Sequence, residues 1–402
     1  HAMSRSWLHR CSLLVALCLG VPVHAGTEPL PLLAQALRVG ALEVTVQLPA
    51  GYTLELVSDR LERPRMARFT PAGELLIGSR SGKLYRLRAD ASEPELLADL
   101  GGYPHAVAVR GDELLVARTE GLYRAAYRAG QPPLARDDFS LLLRLPSGGG
   151  HSSRTVAVGP DGRVYVSVGI SGNCSEEYLD DSFPFPIRRG GVFVLDESRA
   201  RPEWAPFASG LRNPVGFDWN PADGVLYATN NGPDHHGFEQ PPEYFSRLER
   251  NSFHGMPWFV HDGDKLRRDP CQGSTPPRPE GHVWPPAATF PARNAPLGMA
   301  FVPPAAADPR LAGDAVVALH GSWATLPDGG PNGDPASRRP PKLVLVRFAG
   351  GVPVQVDDLV TGFQLADGSR WARPAGVAVA ADGTLYFTSD DGLQGLFRLR
   401  RQ

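Results

Sequence analysis

The sequence predicts an all-β fold, a six-bladed β-propeller with long loops on one face, on three observations. A short pattern of apolar strand, Gly- or Asp-containing turn and second apolar strand recurs six times. Glycine (44) and proline (40) are abundant and spread along the chain, which is the punctuation of a protein with many turns. Helical periodicity is nearly absent beyond the first residues. A lone hairpin cannot bury its faces, whereas hairpin units stacked radially bury both and leave only short edges. A two-domain β-sandwich is the alternative architecture.

In chain order, residues 1–25 read as a leader. His1-Ala2 ahead of Met3 is a cloning remnant, Arg5 and Arg10 supply positive charge, and Cys11 to Val23 is a mostly apolar run. Val23-His24-Ala25 then offers a signal-peptidase site, and the run is too short to span a bilayer comfortably. No other segment is long and apolar enough for a membrane helix. The expectation is an exported protein, periplasmic or secreted, with residues 26–402 forming one propeller domain.

The repeats follow. They are MARFTPAGELLIGSRSGKLYRL from Met66, AVAVRGDELLVARTEGLYRA from Ala106 and TVAVGPDGRVYVSVG from Thr155. GFDWNPADGVLYATNNG begins at Gly216, GMAFV with DAVVALHGSW at Gly298, and GVAVAADGTLYFTSDDGLQGLFRL at Gly376. Each alternates apolar residues, is rich in β-branched and aromatic side chains, and turns on Asp-Gly or similar chemistry. The spacing is about 40 residues at first and about 80 later, so the excess is loop. Long insertions follow Gly172, Asn231, His261 and Trp323, and Leu326 to Lys342 is too rich in Pro and Gly for regular structure. In a propeller such loops gather on one face and build a site there. The strand-like end, Gly395 to Arg400, is expected to meet the N-terminal segment and close the ring.

At 42% hydrophobic and 21% charged the composition is that of a globular protein. The net charge of −2 gives no basic balance for nucleic acid and no acidic tail. Of four cysteines, Cys11 and Cys18 lie in the leader, and Cys174 and Cys271 remain for one disulfide in an oxidising compartment or for two free thiols.

Three segments carry candidate chemistry. Gly148-Gly149-Gly150 ahead of His151-Ser152-Ser153-Arg154 lets backbone approach a ligand, with an imidazole able to take a proton near neutral pH. Alone, a histidine beside a strand is as readily a satisfied structural group. Arg212-Asn213-Pro214 presents hydrogen-bond donors, the guanidinium suiting a carboxylate or equally a loop ion pair. Asn230-Asn231-Gly232-Pro233-Asp234 offers oxygen ligands of the kind calcium prefers. His235-His236 suggests zinc only weakly, because adjacent histidines on one turn do not converge readily on one metal and no HExxH or CxxC accompanies them. The absence of a GxSxG elbow, a Walker loop and a helix-opening GxGxxG leaves nucleotide chemistry unsupported.

In order, YPHAVAV (Tyr103 to Val109), GHSSRTVAVGPDGRVYVSVG, GLRNPVGFDWNP, NNGPDHHG with PPEY, HGMPW, APLGMAFV, HGSW and RPAGVAVAADG resemble the soluble glucose/sorbosone dehydrogenase family, the sorbosone-type branch most. The resemblance covers roughly Gly51 to Arg400. It implies a propeller whose top face holds pyrroloquinoline quinone (PQQ) and calcium and which oxidises an aldose or related sugar or polyol, with electrons passing to an acceptor the sequence does not identify. On that resemblance His151 is the catalytic base and Arg212 with Asn213 contacts the quinone oxygens. Gly232 and Pro233 bind calcium through their carbonyls, Arg154 and Arg373 meet the cofactor's carboxylates, and Trp323 lines the substrate side of the cofactor.

Three positions depart from the pattern. Gly150 replaces an acid of the glucose-oxidising branch, Ala375 a second arginine, and Tyr244 an acid after the calcium turn. Lys342 is the clearest lysine for the cofactor. Two other functions fit the same fold: a non-catalytic exported propeller binding a carbohydrate or protein partner, and a lactonase-like hydrolase with acidic metal ligands on the axis.

Overall fold

A computed structural model describes residues 28–402; the leader and its cysteines lie outside these residues. The regular structure of the described chain is nearly all strand, with four single-turn 3₁₀ segments. No described helix is long and apolar enough to cross a membrane.

Six antiparallel sheets form the blades. Their innermost strands are Pro64–Phe69, Ala106–Arg110, Arg154–Val158, Phe217–Trp219, Pro296–Phe301 and Ala372–Val379, and each opens one of the six repeats. Blades 1 to 5 take their four strands consecutively, apart from insertions. Blade 3 gains a short parallel fifth strand, Ser252–Phe253, from the blade 4 insertion. Blade 6 takes Ala372–Val379, Leu385–Gly392 and Gly395–Arg401 from the end of the chain and Tyr52–Ser58 from its beginning. The expected closure by the two ends of the domain is therefore realised, and no open sheet edge breaks the ring. A further hairpin, Leu32–Val39 with Leu42–Pro49, precedes the ring and bridges Gln47 to Thr361 beside blade 5.

The glycine opening three of the repeats has a packing reason. A Cβ on Gly216 would sit 2.1 Å from the Leu297 carbonyl oxygen, and one on Gly376 would sit 2.1 Å from that of Arg65. One on Gly298 would lie 2.6 Å from the Ala375 oxygen. Only a hydrogen lets neighbouring blades approach this closely at the axis. Buried threonines tie the same seams. Thr155 Oγ1 donates to Val215 O (2.6 Å), Thr229 Oγ1 to Leu297 O (2.8 Å) and Thr388 Oγ1 to Arg65 O (2.6 Å). Between blades, aliphatic and aromatic side chains form the core, as where Tyr227 and Phe245 of blade 4 meet Phe301 and Phe348 of blade 5.

In an antiparallel blade the start of the first strand and the end of the second lie on one face. Three insertions, 169–190, 231–242 and 320–341, link second to third strands and so stand on that top face. The fourth, 249–287, leaves blade 4, runs beside Ala208–Ser209 of blade 3 and reaches the same face.

Candidate active site

The top face is built where the first strands begin. The glycines before His151 are conformationally required. Gly150 has φ +80°, and a Cβ there would fall 1.6 Å from the Ser171 carbonyl oxygen. No acid fits at this position, so the imidazole needs another orienting group. That group is a backbone carbonyl: His151 Nδ1 lies 2.6 Å from Ile170 O, which can only accept, so Nδ1 carries the hydrogen. Nε2 is then a lone-pair acceptor with no hydrogen-bond partner among the described residues. Burial, with Arg212 nearby, pushes the imidazole down to about 4, so it is neutral at physiological pH.

The loop itself is clamped by two buried arginines. Arg154 donates to Pro146 O (2.8 Å), His151 O (2.8 Å) and Ser153 O (3.0 Å). Arg189 donates to Gly149 O (3.0 Å), His151 O (3.1 Å) and Gly169 O (2.9 Å) and pairs with buried Glu177. This geometry corrects the expectation for Arg154. Its guanidinium is wholly buried on backbone carbonyls and braces the His151 loop instead of facing a ligand.

Arg212 and Asn213 stand against His151. The Ile170 peptide bridges them, accepting from His151 Nδ1 and donating to Arg212 O (2.9 Å). A Cβ on Gly169 would lie 2.8 Å from His151 Cβ and 2.5 Å from Asn213 Oδ1, so both side chains close over one point. The buried Arg212 guanidinium is held by Asn173 O (2.8 Å), Asn173 Oδ1 (3.1 Å) and Asn231 O (3.3 Å), with Asp234 at 3.8 Å. Three of its five N–H groups are used in these hydrogen bonds, which leaves two for a ligand.

The Gly232-Pro233 turn follows. Neither carbonyl oxygen accepts a hydrogen bond among the described residues, so both are free to meet a cation. The acid expected at Tyr244 stands one residue earlier. Buried Glu243 takes Gly232 N–H (3.1 Å) and Ala295 N–H (2.9 Å), and burial raises its carboxyl to about 7. Tyr244 points away, its hydroxyl accepting from His261 N (2.6 Å). Next along, Asp234 pairs with Arg293.

A cavity of about 540 Å³ joins Asp234 and Arg293 to Trp323. Trp323 is 49% exposed and is surrounded by three guanidiniums, Arg338 at 4.7 Å, Arg370 at 5.1 Å and Arg373 at 4.7 Å from its ring centre. Among the described residues their only acidic side-chain partner is Asp391, on Arg373 (3.2 Å). Arg370 is bound only to uncharged oxygens, and burial with Arg373 and Arg338 beside it lowers it to about 9. Arg338 Nε is buried without a partner. Behind Arg373, His320 accepts its N–H (3.0 Å) on Nδ1 and donates from Nε2 to Asp390 (2.7 Å), which also holds Arg65 (2.7 Å). Lys342 is not among these groups; its ammonium pairs with Asp358 (2.6 Å).

The structure thus brings His151, Arg212, Asn213 and the Gly232-Pro233 turn together, while Arg373 stands against Trp323, which shares its cavity with Asp234, the neighbour of Arg212. The sequence reading missed Arg338, Arg370, Glu243 and Asn173. A partial signal existed for Arg370, three residues before Arg373 in the matched segment. Cys174 and Cys271 form the disulfide, with Cα atoms 6.3 Å apart.

Comparison with known proteins places this face in context. A TrAA12-like family model matches residues 46–240. The PQQ domain of a pyranose dehydrogenase from Coprinopsis cinerea superposes with a TM-score of 0.69 at 20% identity, over 89% of this chain and 97% of that domain. A PQQ-bound aldose sugar dehydrogenase from Streptomyces coelicolor gives 0.59 at 16% identity, over 88% and 99%. The chain shares its fold with sugar dehydrogenases. A calcium-containing structure of a Trichoderma reesei carbohydrate-active enzyme of family AA12 gives 0.70 at 18% identity, over 88% and 96%. An uncharacterized Borreliella burgdorferi protein is 22% identical over 378 residues, 90% of this chain and 93% of that one.

Proposed function

We propose that the protein is an exported PQQ- and calcium-dependent dehydrogenase that oxidises a CH–OH group of a sugar or polyol. The observation that carries this reading is the state of His151: a neutral imidazole, hydrogen on Nδ1 pinned to Ile170, lone pair on Nε2 beside Arg212 and Asn213. Such a nitrogen is a general base in its working form. The residues fit the cofactor. Three guanidiniums with one acid suit a ligand bearing three carboxylates, and Arg338 and Arg370 supply the charge that Ala375 lacks. The free carbonyls at Gly232 and Pro233 suit calcium.

When bound, the quinone supplies a two-electron acceptor for hydride. His151 Nε2 takes the hydroxyl proton as the substrate C–H electron pair departs, leaving a carbonyl. Arg212, held by Asn173 and Asn231, would hold the quinone oxygen side of the cofactor and would supply positive charge there. Asn213 orients, and Trp323 offers a flat face. The electron acceptor and the sugar remain to be assigned by assay.

Adding PQQ and calcium at micromolar protein should change the cofactor spectrum, and sugar-dependent dye reduction should follow. His151→Ala should keep the spectral change and lose about 10²–10⁴ in turnover. The acid limb of kcat/KM should lie near 4 instead of near the usual imidazole range. If PQQ with calcium leaves the spectrum unchanged, the protein is instead a propeller that binds without catalysis.

A further inference from the structure

We infer that Asn173 is a positioning residue for Arg212, set by a relay from Asp269 through His235 and secured by the Cys174–Cys271 bond. The inference rests on the dehydrogenase reading for its catalytic meaning, and on geometry alone for its existence.

Arg212 lies in the link from blade 3 to blade 4, yet the groups that aim it come from two insertions. Asn173, in the blade 3 insertion, accepts Arg212 Nε–H on its backbone oxygen (2.8 Å) and Nη2–H on Oδ1 (3.1 Å). Oδ1 also accepts Asp234 N–H (2.8 Å). Two donors on one oxygen fix which way the amide faces, so Nδ2 points at His235 Nδ1 (2.9 Å) and must donate to it. His235 therefore holds its hydrogen on Nε2, aimed at Asp269 at 3.0 Å and 3.1 Å. Asp269, 1% exposed, also receives His236 Nε2–H (2.9 Å) and Cys271 N–H (3.1 Å), and these partners outweigh its burial and keep it ionised. The chain runs without a mismatch from a buried carboxylate to a guanidinium.

Two further features separate this from ordinary loop packing. The adjacent histidines, which the sequence suggested only weakly as zinc ligands, converge on one carboxylate, with ligand atoms within 4.8 Å of one another, a spacing a metal could use. The fixed Asn173 amide requires Nε2 of His235 to keep its hydrogen, so the cluster holds protons, not a cation. Both ends of the relay are also covalently fastened at one place. Asn173 precedes Cys174, Asp269 stands two residues before Cys271, and Gln272 Nε2 donates to Cys174 O (2.9 Å).

The test combines a cofactor-independent readout with a cofactor-dependent one. Phenylglyoxal labelling of Arg212, mapped by mass spectrometry against exposed Arg199, should be slow in the parent, where Arg212 is 5% exposed. It should quicken several-fold in Asn173→Ala and after phosphine reduction of the disulfide, with the far-ultraviolet dichroism unchanged. The PQQ dissociation constant should rise about tenfold in Asn173→Ala, the loss expected for one charge-assisted hydrogen bond. In an Arg212→Lys background the same change should add almost nothing, because the two act through one contact. His235→Ala should move both readouts in the same direction and by less. Unchanged labelling in Asn173→Ala, or full additivity with Arg212→Lys, would overturn the inference. Faster labelling in a protein whose parent binds no PQQ would keep the relay and remove the dehydrogenase reading.

Discussion

At the scale of single residues, glycine decides the site as much as histidine does. Gly150 and Gly169 hold no chemistry, yet each is enclosed: the first by the Ser171 carbonyl, the second by His151 and Asn213. Gly169→Ala should therefore act on the site. The added methyl must push His151 or Asn213 by a few tenths of an ångström or more, and near-attack geometry tolerates little of that. We expect turnover to fall by about 10²-fold while the melting temperature changes only modestly; dye-linked kinetics beside a thermal melt checks it, and an unaltered kcat would mean the two side chains are not held as described. His151 and the Arg-Asn pair were legible because they sit in segments with matched order and spacing. Arg338, Asn173 and Asp269 were not, because they lie in insertions without period: Asn173 meets Arg212, Asp234 and His235 from 39 to 62 residues away, and Asp269 meets His235 and His236 from 34 and 33 residues away, beside a disulfide spanning 97.

At the scale of elements, the seams between blades matter more than any one strand. Thr388 is fully buried, receives Gly376 N–H (2.8 Å) and donates to Arg65 O (2.6 Å), joining the last blade to the first. Thr388→Val keeps the shape and strands both backbone groups, which should cost about 1–3 kcal/mol. Thr388→Ser should recover most of it. Urea midpoints of the three proteins decide this, and equal midpoints for Val and Thr would show the seam to be held by packing alone. The six hairpin units could be read from sequence because turn residues and apolar alternation recur together, with an inner-strand glycine in three of them. The fourth strand of each blade was fainter. Tyr52–Ser58 belongs to a blade whose other strands begin 320 residues later, and nothing local marks a strand as the partner of so distant a neighbour.

At the scale of the molecule, burial holds several histidines in their neutral form. Burial lowers His151 and His320 to about 4 and His254 to about 3, and His105 is also lowered. Below the ordinary imidazole range the unfolded chain takes up protons that the folded chain refuses. Stability should thus be level above about pH 6.5 and fall as pH drops toward 4, by up to about 2 kcal/mol per histidine at pH 5. Glu243 and Asp314, raised to about 7 and about 6 by burial, and Asp218, also raised, work in the opposite sense, but these three carboxyls are outweighed by the five lowered imidazoles, His261 included. A urea midpoint that holds steady from pH 7 to pH 5 would refute this. The clasp in blade 6 has a consequence in time. A ribosome delivers Tyr52–Ser58 before the five blades that intervene and its partner Gly395–Arg401 after them. While those blades emerge the early strand has no mate, so the ring stays open until Gly395–Arg401 arrives, and a chain cut before that strand would present an unpaired edge to every other copy nearby.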